Sequence, residues 1–135
     1  MANTRYPLGL EAIMRGEVDF ESDTLSIQLY SGAALYNDAH DFLNDIAGSK
    51  AGSPITLTGK DITGGKLTAA IGPFTPPAAT TVVVAILYVN TGVDSTSQLL
   101  AWLDKRGDGS DLSFLSDGTA LTLNWNGPIY SIGGL

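Results

Sequence analysis

Between Thr80 and Asp104 the chain carries two apolar runs, and neither of them alternates. Val82-Val83-Val84-Ala85-Ile86-Leu87-Tyr88-Val89 is unbroken, and Leu99-Leu100-Ala101-Trp102-Leu103 is apolar on both parities. A strand with one wet face alternates apolar with polar residues, whereas a strand covered on both faces does not. The runs predict two central strands of a doubly covered sheet, joined by a short polar loop. The second cover comes either from this chain's own helices and sheet or from a neighbouring subunit, and the residues leave both open.

The remaining composition fits that reading. A chain of 135 residues suits one domain, and one of this size buries roughly 65–70% of its unfolded surface. Gly 16, with many Thr and Ser, favours strands and turns over long helices. The formal net charge is −7. An acidic chain without a basic cluster argues against nucleic acid as a partner. There are no cysteines, which removes disulfides, thiolate nucleophiles and cysteine metal sites. Met1-Ala2-Asn3-Thr4-Arg5 starts no signal peptide, and the longest apolar run falls far short of the ~20 residues a spanning helix needs. The expectation is a soluble protein made in a cytoplasm, with no membrane partner.

Along the chain, Asn3–Pro7 reads as an extended arm, because Pro7 disfavours helix at Tyr6. Leu8–Gly16 reads as a short helix with Leu10, Ile13, Met14 and Glu17 at helical spacing and Gly16 as its stop. Its bland role is core packing, and its sharper one is docking on a neighbouring subunit. Thr24–Tyr30 alternates, with Leu25, Ile27 and Leu29 on one face. Asn37 or Asp38 caps a helix to Ile46 that puts Ala39, Phe42, Leu43 and Ile46 on one face. Pro54–Phe74 reads as a strand pair around Gly64-Gly65, with Thr63 opposite Lys66 and Ile62 opposite Leu67. Ile55 and Leu57 have the wrong parity for one regular strand with Ile62, so a bulge near Gly59-Lys60 is needed. Lys105–Asp117 reads as a polar loop, and Thr119–Trp125 as a strand with Leu121, Leu123 and Trp125 on one side. Ile129–Leu135 reads as a short last strand or tail. The fold class expected is mainly β: an antiparallel β-sandwich or jelly-roll-like domain with two short helices. Residues 1–16 form an arm and helix, and residues 17–135 form a single β-rich domain.

Chemistry is sparse. His40 is the sole histidine. A catalytic dyad needs a nucleophile beside it, and a histidine metal site needs further nitrogen or sulfur ligands, so a partly exposed helix histidine is expected. Glu17, Asp19, Glu21 and Asp23 alternate with other residues and on a strand would face one side. That is a solvated edge, a stripe for a basic partner, or a weak Ca²⁺ site. Asp104–Asp111 lacks the spacing of an EF-hand loop, and its Arg106-Gly107-Asp108 tripeptide reads as part of a turn. Trp102 and Trp125 sit at core parity, which favours packing over a sugar platform. The expectation is no catalytic residue, no metal and no cofactor.

Several short boxes run in order through most of the chain. They are Leu8-Gly9 with Gly16-Glu17-Val18-Asp19 and Ser22-Asp23-Thr24-Leu25, then His40-Asp41-Phe42-Leu43, then Leu57-Thr58-Gly59-Lys60. Leu87-Tyr88 with Thr91-Gly92 follows, and then Leu123-Asn124-Trp125-Asn126-Gly127. In this succession the chain resembles a family of small virion structural proteins of tailed bacteriophages. The resemblance implies a virion component, and within that class a capsid decoration (cement) protein, assembled in the host cytoplasm. Its implied partners are the major capsid protein and sister copies, in a trimer. It transfers no catalytic residue. The expected contact surface is the arm and helix, through Tyr6, Leu8, Leu10 and Ile13, with the acidic strip Glu17, Asp19, Glu21 and Asp23. A tail or neck adaptor, a fibre-base component, a glycan-binding module that would use Tyr36 or Trp102, and a small carboxylate hydrolase are the other readings.

Overall fold

A computed structural model describes residues 3–32, 34–123, 125 and 127–131. Its strands are β1 Thr4–Arg5, β2 Leu25–Tyr30, β3 Ile55–Thr56, β4 Thr58–Thr63, β5 Lys66–Phe74, β6 Thr80–Val82, β7 Val84–Val89, β8 Leu99–Leu103, β9 Phe114–Ser116, β10 Leu121–Leu123 and β11 Tyr130–Ser131. One α-helix, α1, spans Pro7–Met14, and short 3₁₀ turns cover Leu43–Asp45 and Asp94–Thr96. The fold is mainly β and sandwich-like. One sheet has the order β1-β8-β7-β2-β3, a second gathers β4, β10 and β11 around β5, and β6 pairs with β9. Every pairing is antiparallel.

The doubly covered sheet is present. All of β2, β7 and β8 is buried except Val89 at one end. Leu25, Ile27, Leu29, Ala85, Leu87, Ala101 and Leu103 face the main core, together with Leu67, Ile71, Leu123, Trp125 and Ile129 of the second sheet and its connections. Tyr30, Val84, Ile86, Tyr88, Leu99 and Trp102 face a second core, closed by Tyr6, Leu43 and Ile46. The second cover therefore comes from this chain itself. Because that face is dry, even the polar side chains of β2 are fully buried. Asn90 Nδ2 donates to Ser26 Oγ at 3.1 Å, and Gln28 Nε2 donates to the Gly52 carbonyl at 3.0 Å.

Leu99–Leu103 is apolar on both parities partly because of a bulge. Leu87 is opposite Ala101 but Tyr88 is opposite Leu99, so Leu100 is an extra residue on the bulged strand. Leu100 and Ala101 consequently both enter the main core. The bulge also frees the Leu100 carbonyl to accept the Tyr6 amide at 3.0 Å.

The Gly64-Gly65 hairpin has the expected register, with Thr63 opposite Lys66 and Ile62 opposite Leu67. Both glycines have positive φ, 63° and 75°, as a two-residue hairpin turn requires. The register shifts between Thr58 and Asp61, at the predicted bulge. Ile55, moreover, belongs to another sheet, pairing with Ile27.

Five expectations need correction. Within the expected loop Lys105–Asp117, Phe114–Ser116 forms β9, paired with β6. The Val82–Val89 run is two strands: Val82 ends β6, and at Val83 the chain crosses to β7, its amide donating to the Tyr30 carbonyl. No helix runs to Ile46. Phe42 bridges Gln98, the Leu43 amide donates to the Ser97 carbonyl, and the Leu99 amide donates to the Asp41 carbonyl. A short helix is marginal in water, and these long-range bonds claim the backbone it would have used. The Asn3–Pro7 arm is no free extension but an edge strand, with Thr4 opposite Trp102 and Arg5 opposite Ala101. Finally, residues 17–24 form turns, with no strand to align their carboxylates.

Candidate functional surface

The N-terminal segment is stitched to its own sheet. Asn3 Oδ1 accepts the amides of Asp104 and Lys105, each at 2.8 Å, and Asn3 Nδ2 donates to the Lys105 carbonyl at 2.9 Å. Pro7 then starts α1 at a position where a missing N–H costs nothing. Gly9 lies directly on the β8 bulge, where an added Cβ would stand 2.1 Å from the Leu99 carbonyl oxygen. Gly16, at φ 75°, follows the helix as the predicted stop.

This docking decides what the apolar candidates do. Tyr6 is wholly buried and offers no surface in this structure. Leu8 is half-buried, and Leu10 and Ile13 pack against the main core. Met14, which the helical spacing grouped with them, is instead 85% exposed.

The acidic candidates are gathered by a turn. Asp19 Oδ1 accepts the Glu21 amide at 2.9 Å, and Asp23 Oδ2 accepts the Asp19 amide at 2.9 Å. Hydrogen bonds from Glu21 and Ser22 hold the Asp19 carboxyl below the usual carboxylate range. From β4, Lys60 Nζ donates to the carbonyls of Phe20 at 2.7 Å, Glu21 at 3.1 Å and Asp23 at 2.7 Å. The ammonium thus occupies the carbonyl cradle that a cation-binding loop would use for its ion. Glu17, Asp19 and Glu21 remain exposed and Asp23 is half-buried.

In the sequence Lys60 stands out at the bulge near Gly59-Lys60 and in the Leu57-Thr58-Gly59-Lys60 box. Its partner loop was legible in neither periodicity nor charge, because the contact spans 37 to 40 residues.

The other candidates resolve into structure. His40 follows an Asn37 turn in which Asn37 Oδ1 accepts the Ala39 amide, and its ring lies 6.5 Å from that of Tyr6. The Tyr36 ring lies tilted against Tyr6 at 5.1 Å and edge-on to Trp102 at 6.2 Å. Both tryptophans are core residues, Trp102 at 7% and Trp125 at 4% exposure. Asp104–Asp111 closes a tight loop in which Lys105 pairs with Asp111 and Asp108 Oδ1 accepts from Ser110. Among the described residues, no group of three or more His, Asp or Glu side chains is placed to hold a metal ion. No described helix is long and apolar enough to cross a membrane.

Beside the turn lies a concavity of about 150 Å³ walled by Ile13, Phe20, Ile62, Leu67 and Tyr130. A second, of about 220 Å³, adjoins it and shares Lys66 and Tyr130.

No protein-family model matches the chain, and neither a curated protein nor a solved structure matches it.

Proposed function

We propose that this chain is a structural protein of a tailed-phage virion, and more narrowly a decoration protein that binds the major capsid protein on the head shell as a trimer. The observation that carries the reading is the ordered succession of sequence boxes across most of the chain. Their placement in space supports it. Lys60 of the Leu57–Lys60 box donates to Asp23 of the Ser22–Leu25 box and to Phe20 and Glu21 just before it, and Leu87-Tyr88 lies in β7 with Thr91-Gly92 after it. Lys60 thus joins two distant segments at the surface, while Leu87 and Tyr88 are buried in the cores.

The function is mechanical, without reaction or cofactor. Two cores on one sheet favour a rigid display unit, and many weak copies on a lattice brace it by multivalency. Because Tyr6, Leu10 and Ile13 serve the chain's own folding, the surface offered here is Met14 with Glu17, Asp19 and Glu21. A side-chain-resolution cryo-microscopy map of the intact particle tests the reading. Decoration predicts on the order of hundreds of copies on the head shell. Absence from the head overturns it, and about six or twelve copies at the neck would make the protein a connector.

A further inference from the structure

Carboxylates outnumber cations two to one in this chain, with Asp+Glu 14 against Lys+Arg 7. Yet no carboxylate of the described residues lines either of the adjoining concavities. Lys66 and Arg106 line the second one, and Arg5 Nη1 donates at 3.4 Å to the carbonyl of Ser131 in its wall. Lys66 is exposed and joins none of the ion pairs seen among the described residues. The first concavity is walled by apolar side chains, and its rim adds Ile62 at 39% exposure. Tyr130 lines both and is 3% exposed, and its hydroxyl has no hydrogen-bond partner among the described residues. The result is one cleft with an apolar compartment and a cationic one side by side.

We propose that this cleft binds an extended peptide segment of a partner protein that presents an apolar side chain next to an acidic one. Size favours side chains over a whole small molecule. Each compartment, about 150 or 220 Å³, lies by itself below the roughly 300–1,000 Å³ of small-molecule sites and suits one side chain, so the pair suits two neighbouring side chains of one segment. Charge selects the acidic neighbour, which would meet Lys66 in a cleft whose described lining holds no carboxylate. This site differs from the acidic surface offered above and does not depend on where the protein resides.

Amide NMR titration of the full chain with a short capped peptide containing leucine followed by glutamate tests it. A peptide with lysine in place of glutamate and the small acid octanoate serve as controls. Shifts should centre on Phe20, Gly65, Leu67 and Tyr130, and binding should weaken about tenfold with the lysine peptide. K66E should reverse that charge preference, and I62S should weaken both peptides; both residues are exposed, so the fold should survive. No shifts at millimolar peptide, shifts elsewhere, or equal binding of the two peptides would overturn the proposal. Octanoate binding as tightly as the glutamate peptide would overturn it in favour of a small amphipathic acid.

Discussion

Lys60 shows how one side chain can set a surface. Its ammonium satisfies carbonyls of Phe20, Glu21 and Asp23 that would otherwise need water or an ion. Hydrogen bonds to charged groups contribute about 1.5–3 kcal/mol, and partial solvent access places this set toward the lower end. Lys60→Met keeps the aliphatic stem and removes the charge. It should lower stability by about 1–2 kcal/mol and speed amide exchange selectively in residues 17–24. Urea unfolding and hydrogen exchange check both, and uniform exchange across the molecule would contradict a local anchor. At this scale, Gly16 as a stop and Gly64-Gly65 as a turn were legible in the sequence, because backbone conformation there depends on the residue itself. The Lys60 cradle was not, because a long side chain does not announce which distant carbonyls it will meet.

Among the elements, α1 and the β8 bulge depend on one another. The bulge places Leu100 and Ala101 in the same core and turns the Leu99 and Leu100 carbonyls toward the helix. Only a residue without Cβ fits at Gly9 against that backbone. Gly9→Ala would ordinarily favour a helix by about 0.8–1 kcal/mol. Here the clash with the Leu99 carbonyl oxygen should reverse the sign and cost about 3 kcal/mol, read as a lowered urea midpoint. A neutral or stabilising result would show that α1 can lift from the bulge. The same docking predicts that removing residues 1–16 would strip β8 of its edge strand and the second core of Tyr6. The arm is therefore part of the fold and no detachable extension. Periodicity found α1 but misplaced Met14, and it found apolar spacing in 39–46 where long-range hydrogen bonds prevent a helix.

For the whole molecule, the chief consequence of two cores is the state of the tyrosines. Burial pushes the phenols of Tyr30, Tyr88 and Tyr130 up to about 12. Burial also raises Tyr6, above those three, and Tyr36. In the unfolded chain a tyrosine ionises near ~10. A folded value raised above the unfolded one gives stability that is fully present below about pH 10 and lost as pH rises toward about 12. The expected outcome is a cooperative alkaline unfolding in that window, with tyrosinate absorbance and loss of β circular dichroism rising together. Phenols titrating near ~10 with the fold intact would contradict it.

The burial of the central strands was legible from the residues alone. Two non-alternating runs have no low-energy place except between two covers, so the mainly β, layered architecture followed from the residues. The hairpin and its bulge followed too, since turn chemistry and parity are local. The source of the two covers rests on long-range contacts. Tyr6, Leu43 and Ile46 close the second face because the chain returns to it through long-range backbone pairing, which no local pattern records. The same return spends Tyr6, Leu10 and Ile13 on the chain's own cores.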